Sequence, residues 1–234
     1  MKLTRLLGFF VVMILIVNLA YFYPRITGEG FYEPETIVVE EVLDGDTFKT
    51  ENVSVRLLCL NTPEKNKPFY EQAKALLGKY EGEEVQVLRD KENEDRYNRK
   101  LRFVFSGKVF VNKELVERGL SHLYLCEGTY YYSDLKKAEE KARENELGIW
   151  KKSTSKCAGC LELLDLDPEA EFFTIKNNCK YECEGEVKDE ANHFFEIKLK
   201  GGEEKTIESD RIWNDDGDRL FLRDEQGLLL YYSY

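Results

Sequence analysis

The stretch between residues 44 and 99 brings together side chains that could cleave a phosphodiester bond. It supplies oxygen ligands for a divalent cation, a carboxylate that could take a proton from water, and two guanidinium groups that could pair with phosphate oxygens. Phosphodiester hydrolysis needs all three, because negative charge builds on the phosphate while water attacks it. The candidate residues are Asp44, Asp46, Arg56, Asn61, Thr62, Glu64, Tyr97 and Arg99.

Taken singly, these residues also have ordinary structural interpretations. The Asp-Gly-Asp segment at 44–46 is typical of a hairpin turn, because Asp and Gly tolerate unusual backbone angles. Arg56 and Arg99 could form structural ion pairs, and Glu64 could be an exposed acid in a loop. The order and spacing of the whole set, rather than any one residue, favour the catalytic interpretation.

The surrounding sequence predicts a mainly β fold with some α-helix. Short β-branched segments predict strands, and apolar residues at helical spacing predict helices. Strands are predicted at 36–42, 47–50, 54–60, 84–88 and 100–105, and helices at 69–80, 112–119 and 133–147. Ser133 is expected to cap the last helix and Gly148 to end it. This pattern favours an OB-fold, a five-stranded barrel capped by helices.

The same region resembles the staphylococcal-nuclease-like (thermonuclease) family over residues 36–150. The matching blocks are EVLDGDTF (41–48), VRLLCLNTPE (55–64), DRYNRKLRFVF (95–105), VNKELVERGL (111–120) and AEEKARENELGIW (138–150). The resemblance implies an OB-fold domain, with bounds set at 36–151, that carries a calcium-dependent nuclease site.

The resemblance also implies which residues would bind calcium. Asp46, Asn61 and the backbone carbonyl of Thr62 would be ligands, with Asp44 close behind them. The family usually has Asp where this chain has Asn61. An amide keeps a carbonyl oxygen but lacks the charge of a carboxylate, so weaker calcium binding is expected at this site.

The remaining candidates would act on the phosphate and the water. By the resemblance, Glu64 would be the general base, and Arg56 and Arg99 would bind the reacting phosphate. Tyr97 would hydrogen-bond a neighbouring phosphate. The implied substrates are DNA and RNA, cut without strong sequence preference, because arginine–phosphate contacts carry no sequence information.

The last third of the chain predicts a second β domain. After a linker at 152–160, strand-like segments occur at 172–176, 193–200, 205–208, 219–223 and 228–234, which favours a β-sandwich over 161–234. Residues 212–234 resemble the final strands of a lamin-tail-like domain, which implies an immunoglobulin-like fold. By analogy, this domain would dock to the cell envelope or to a protein partner. Its acidic turn is either a solvated hairpin or a second calcium site.

The cysteines around the linker allow two interpretations. Cys157, Cys160, Cys179 and Cys183 are spaced as two close pairs, a pattern compatible with zinc or with disulfides. An oxidising compartment and a small domain favour disulfides, and bridges between the two pairs are weakly preferred. The other cysteines, at 59 and 126, are interpreted as small buried apolar residues, with a further bridge left open.

The N-terminus predicts a membrane anchor. Residues 6–23 form an apolar run that would extend about 27 Å as a helix, which is enough to cross a bilayer. Lys2 and Arg5 precede the run and favour a cytoplasmic N-terminus. We therefore predict a transmembrane signal-anchor at 1–25, a tether at 26–35 and an extracytoplasmic catalytic domain. A cleaved signal peptide, giving a secreted protein, is the alternative.

Composition excludes several other classes of function. The 234 residues include 45 acidic and 34 basic side chains, and the net charge of −11 argues against a generic polyanion binder. Two histidines exclude a His-rich zinc hydrolase. The alternatives to a nuclease are a catalytically weak or inactive OB-fold module that binds nucleic acid or protein, and an adhesive surface protein. A monomer is expected.

Overall fold

The computed structural model of the chain describes residues 32–209, 212–214 and 217–234. The predicted anchor at 1–25 and most of the tether at 26–35 lie outside these residues, as do Asp215 and Asp216 of the acidic turn. Among the described residues, none of the helices has the length and apolar character that crossing a bilayer requires.

The first part of the chain folds into a mainly β unit with few helices, as the sequence predicts. Its strands are β1 (Glu35–Val38), β2 (Glu41–Val42), β3 (Thr47–Lys49), β4 (Ser54–Leu57), β5 (Leu60–Asn61), β6 (Glu84–Leu88), β7 (Lys100–Ser106), β8 (Val109–Phe110) and β9 (His122–Leu123). Within the described residues, one sheet runs β1-β6-β7-β4-β3-β2 with β8 paired to β7, and β5 pairs with β9. The β4–β7 pair is parallel.

The sheet closes because its two outer strands are consecutive in the chain. Only Val39 and Glu40 separate β1 from β2, so the strand predicted at 36–42 is divided at this point. Val39 N donates to the carbonyl of Glu83 at 3.1 Å, and Glu40 N donates to the carbonyl of Lys49 at 2.9 Å. The chain therefore passes from the β6 edge to the β3 edge, which gives the barrel geometry expected of an OB-fold.

Three helices pack on this barrel. They are α1 (Tyr70–Leu77), α2 (Val111–Glu117) and α3 (Tyr132–Glu144), with 3₁₀ turns at Gly78–Tyr80 and Gly148–Trp150. Two details of the prediction for α3 are wrong. Tyr131, without a side-chain hydrogen bond, occupies the N-cap instead of Ser133, and the helix ends at Glu144. Gly148 instead opens the following turn, where it packs against the backbone of Gly119 too closely to admit a side chain.

The second part of the chain forms two facing sheets of seven strands in the described residues. The strands are β10 (Leu161–Asp167), β11 (Phe172–Asn177), β12 (Cys183–Lys188), β13 (Phe194–Leu199), β14 (Glu204–Glu208), β15 (Arg219–Asp224) and β16 (Gly227–Ser233). The sheet orders are β10-β11-β14 and β13-β12-β15-β16. Buried side chains such as Phe173, Ile175 and Leu222 form the core between them. Strands β10 and β12 were not predicted from the sequence, because acidic and glycine residues interrupt their apolar pattern.

All six cysteines are joined in disulfides. Cys157 bonds to Cys183 and Cys160 to Cys179, so both bridges run between the two close pairs and tie the linker to the second domain. The third bridge joins Cys59 and Cys126, and it was left open by the sequence analysis. It connects the loop after β4 to the loop after β9. No free thiol remains to bind zinc.

The two domains share a packed boundary. Trp150, at the end of the first domain, contacts Phe221 and Tyr231 of the second, with ring centroids 5.7 and 5.3 Å away. The linker is not a free tether, since Ser153 N donates to the carbonyl of Leu228 at 2.9 Å. Polar contacts also cross the boundary at the end of β5, where the candidate residues lie.

Candidate active site

The turn between β2 and β3 presents the first two carboxylates. Asp44 accepts a hydrogen bond from Asp46 N at 3.1 Å, which holds the turn in shape. The sequence predicts an unusual backbone angle at Gly45, but its φ does not lie in the left-handed region. The turn needs glycine here because there is no room for a side chain. A Cβ at this position would lie 2.6 Å from the Ala73 Cβ and 2.8 Å from Thr62 Oγ1. The turn is therefore pressed against the segment that carries the other candidate ligands.

Asp46 is the buried centre of this cluster. Its Oδ2 accepts hydrogen bonds from Thr62 N at 2.9 Å and from Thr62 Oγ1 at 3.0 Å. Its Oδ1 forms an ion pair with Arg56. Burial alone would raise the pKa of Asp46, but the Arg56 guanidinium and the Thr62 donors hold it below its usual range. Asp46 is therefore charged at neutral pH.

Asp44 has a different electrostatic environment. Burial, followed by the charge of neighbouring Asp46, raises the pKa of Asp44 to about 6. Arg56 opposes this shift more weakly, because its ion pair is with Asp46. The two carboxylates thus carry more negative charge than the nearby arginine offsets, which suits an added cation.

The donor types at this end of the site fit a hard divalent cation. Calcium takes carboxylate and carbonyl oxygens, and Asp44, Asp46 and the Thr62 carbonyl would supply them. In the part of the chain that the structure describes, no cluster of three His, Cys, Asp or Glu side chains is arranged to hold a metal. Backbone, amide or water oxygens would have to complete such a site.

Arg56 and Arg99 are both held by aspartates. Arg56 pairs with Asp46 and also donates through Nη2 to the carbonyl of Leu60 at 2.8 Å. Arg99 donates through Nε to Asp95 Oδ2 at 2.6 Å. An arginine has more N–H donors than these bonds use, so both side chains keep donors for a phosphate. Against the effect of burial, the charge of Asp46 and, more weakly, those of Asp44 and Asp95 raise the pKa of Arg56.

Tyr97 lies next to Arg99 on the exposed side of the site. Its ring lies 5.3 Å from the Arg99 guanidinium, and the side chain is 62% exposed. This position is compatible with contact to a phosphate. The segment is shaped by Asp95, whose Oδ1 accepts from the backbone N–H groups of Tyr97 and Arg99.

Asn61 lies in a polar contact between the domains. Only 5% of the residue is exposed. Its Nδ2 donates to the backbone carbonyl of Glu190 at 2.7 Å, and its Oδ1 accepts from Asn192 Nδ2 at 3.1 Å. Its paired residue on β9, His122, also places Nε2 3.0 Å from the Glu190 carbonyl. In this arrangement the amide of Asn61 joins the domains.

Glu64 stands at the edge of the same contact and is exposed to solvent. Its Oε1 accepts a hydrogen bond from Asn192 Nδ2 at 2.9 Å. Asn192 and Glu190 were not predicted as site residues, because they lie on the loop between β12 and β13, in a different domain. No local motif marks an asparagine that reaches a glutamate 128 residues away.

Comparison with known proteins gives consistent matches. A family model described as staphylococcal nuclease homologue matches residues 54–152. The thermonuclease of Staphylococcus intermedius is 28% identical over 164 residues, which cover 62% of this chain and 96% of the relative. The thermonuclease of Staphylococcus hyicus is 27% identical over 128 residues, covering 50% and 76%. Protein ParB of Escherichia coli is 31% identical over 131 residues, covering 48% and 70%.

Proposed function

The chain belongs to the staphylococcal nuclease homologue family, and from this premise we propose that it is a calcium-dependent nuclease. It would hydrolyse phosphodiester bonds of DNA and RNA without strong sequence preference. The observation that carries this proposal is the joint placement of a charged Asp46, its partner Arg56 and an exposed Glu64 around one turn and one strand end. Such a site combines oxygens that can bind a metal, N–H groups that can donate hydrogen bonds to a phosphate, and a general base.

Glu64 is the proposed general base. An ionised carboxylate in contact with solvent can accept the proton of an attacking water. Arg56 and Arg99 would donate to the phosphate oxygens through the N–H groups that their aspartates leave free, and their charge would stabilise the transition state. Tyr97 would contact an adjacent phosphate from the exposed side.

Asp46 and the Thr62 carbonyl are the proposed calcium ligands, with Asp44 nearby. When bound, calcium would polarise the phosphoryl group as a Lewis acid. Asn61 would contribute at most its carbonyl oxygen, which in this structure accepts from Asn192. The weaker charge of this ligand set predicts a higher calcium requirement than a site with Asp at this position.

The three disulfides support an extracytoplasmic location. Disulfides persist in oxidising compartments and are rare in the cytosol. We therefore retain the proposal of an N-terminal membrane anchor with both domains outside, and secretion after signal cleavage as its alternative. The two facing sheets of the second domain are compatible with the proposed lamin-tail-like fold, which would dock to the envelope or to a protein.

One observation favours the second candidate function, a weak or inactive binding module. Asn61 uses its amide to join the domains, so a position expected to bind metal serves a structural contact. If this is its whole role, calcium binding would be poor and the site would hold nucleic acid without cutting it.

Incubation of the purified full chain with single-stranded DNA decides between the two functions. We expect cleavage with calcium and none with a chelator. Glu64→Gln should lower turnover by roughly two to four decades, because the amide cannot accept the proton. A full chain that binds DNA but does not cut it with calcium would support the binding module. Cleavage that Glu64→Gln leaves unchanged would refute the assignment of the base.

A further inference from the structure

Asn192 connects the second domain directly to the proposed base. Its Nδ2 lies 2.9 Å from Glu64 Oε1 and 3.1 Å from Asn61 Oδ1, so one amide group donates to residues on both sides of Thr62 and Pro63. Both contacts cross the boundary between the domains. They are made by a half-buried side chain at the end of the loop between β12 and β13.

The orientation of this amide is fixed by its neighbours. A carboxylate oxygen only accepts hydrogen bonds, so the nitrogen of Asn192 must face Glu64. The backbone carbonyl of Glu190 likewise takes the nitrogen of Asn61, which turns the Asn61 oxygen toward Asn192. On its other side, Asn192 Oδ1 accepts from Lys188 Nζ at 2.5 Å. The hydrogen bonds therefore admit a single arrangement of the two amides.

The loop backbone also fixes the position of Asn192. Its φ of 73° lies in the left-handed region, which asparagine adopts more readily than most residues. Asp189 closes the loop by accepting from His193 N at 2.7 Å. Glu190 N donates to Asp218 Oδ1 at 3.2 Å, which links the loop to the residue before β15.

The contact leaves the base accessible. Glu64 remains exposed although Asn192 touches one of its oxygens. The second oxygen makes no hydrogen bond within the described residues, so it can face water. If the loop of the second domain covered the site, it would bury this carboxylate. The loop instead contacts only one oxygen, which restricts the rotation of the side chain and leaves it exposed.

We propose that Asn192 is a positioning residue for Glu64 and that the active site is completed by both domains. The inference rests on the proposed nuclease function. A glutamate on an exposed loop samples several rotamers, and a base must be oriented toward its water to act efficiently. By holding Oε1, Asn192 would keep Oε2 directed at the attacking water.

Two substitutions test the contact in the full chain. Asn192→Gly removes the side chain at a backbone angle that glycine adopts freely. Asn192→Asp keeps the shape and the oxygen that faces Lys188, but it replaces the donor with a carboxylate that repels Glu64. Asn178→Asp is the matched control, because Asn178 Nδ2 donates to Glu162 Oε2 at 2.7 Å in the same domain. It adds the same charge beside a glutamate without touching the first domain.

The measurement is calcium-supported cleavage of a single-stranded DNA oligonucleotide, with kcat and KM determined separately. Both Asn192 variants should lose roughly tenfold to a hundredfold in kcat, as expected for one hydrogen bond to a charged group. KM should stay within about threefold in Asn192→Gly, because ground-state binding does not depend on the base. Asn178→Asp should match the wild type in both constants.

A double variant separates positioning from a general structural role. If Asn192 acts through Glu64, adding Asn192→Gly to Glu64→Gln should change the residual kcat by less than about threefold. An equal loss in both backgrounds would overturn the proposal, as would an Asn192→Gly variant as active as the wild type. A gain in activity would show that the loop inhibits the site instead. Absence of cleavage by the wild type would overturn the proposed function and this inference together.

Discussion

The side-chain nitrogen of Asn61 lies 2.7 Å from the backbone oxygen of Glu190, so the residue at the expected metal-ligand position links the two domains. Asn61→Asp would replace this donor with a charged acceptor facing a carbonyl. We expect the free energy of unfolding, measured with a chelator, to fall by about 1–3 kcal/mol, because the Glu190 carbonyl loses one of its two side-chain partners and faces a carboxylate instead.

The same variant should gain calcium affinity, since a carboxylate adds charge to the ligand set. A calcium titration of cleavage should show a lower half-saturating concentration in Asn61→Asp than in the wild type. A half-saturating concentration that is unchanged or higher would mean that this residue is not a ligand. An unfolding curve identical to that of the wild type would contradict the docking role.

Arg99→Lys tests the phosphate contact. Arg99 donates to Asp95 through Nε, and its terminal nitrogens are the proposed phosphate donors, a division that a single ammonium cannot reproduce. We expect kcat/KM on single-stranded DNA to fall roughly a hundredfold or more, as for loss of a charge-stabilising donor. Lys113→Arg is a suitable control, because this residue pairs with Glu117 on helix α2. Full activity of Arg99→Lys would remove Arg99 from the site.

Gly45→Ala tests the close packing of the carboxylate turn. The added methyl group would lie 2.6 Å from the Ala73 Cβ, so the turn must move. We expect a loss of roughly 1–3 kcal/mol in stability from overpacking, with reduced cleavage because Asp46 shifts. Gly82→Ala is a control without a steric clash, since nothing lies within 4 Å of a Cβ there, although its φ of 81° carries backbone strain. Equal stability and activity of Gly45→Ala and wild type would contradict this account.

The disulfides predict a specific pattern of thiol chemistry. Alkylation of the unfolded chain without reductant should modify no cysteine, and all six should react after reduction. Replacing both Cys59 and Cys126 with alanine should cost about 4 kcal/mol, and replacing Cys160 and Cys179 about 3 kcal/mol, because the closed loops span 67 and 19 residues. Free thiols in the unreduced chain, or bound zinc, would contradict the pairing.

His122 predicts a pH dependence of the domain boundary. Burial, with the nearby charges of Lys188 and Arg219, lowers the pKa of His122 well below its usual value of 6.5. A group with a depressed folded-state pKa contributes stability that is present above its unfolded pKa and is lost as pH falls toward its folded pKa. Wild type should therefore lose stability relative to His122→Gln below pH 6.5, by up to about 1.4 kcal/mol per pH unit.

Measuring both proteins at each pH removes the titration of the groups that they share. Chemical unfolding curves at several pH values between 5 and 8 give the difference directly. A difference in unfolding free energy that does not change over this range would show that His122 is not buried in its neutral form.

Local pattern predicted much of the first domain. The alternation of Glu84–Leu88 predicts β6 with its observed bounds, because alternate residues enter the core. The apolar spacing of Ala73, Leu76 and Leu77 predicts α1, whose buried face contains these residues. The candidate set in the Asp44–Arg99 region follows from spacing and family resemblance.

The missed features depend on contacts between distant segments. The division of the first strand at Val39 results from hydrogen bonds to two different strands, which no local pattern records. The contact of Asn192 with Glu64 joins residues 128 positions apart in different domains. Helix α3 ends early because Glu146 adopts a left-handed φ of 53° and Leu147 N donates back to the Ala142 carbonyl at 3.0 Å, which a rule that looks for glycine at the helix end does not predict.

The Asn192–Glu64 contact also has a consequence for the timing of activity during protein synthesis. Because Asn192 follows Glu64 by 128 residues, the ribosome reaches it roughly 6–26 s later at about 5–20 residues per second. On the proposed geometry, a nascent chain holds a folded but incomplete catalytic site until the last domain emerges and folds. A nuclease assembled in this order reaches full activity only after its whole chain has been synthesised and both domains have folded.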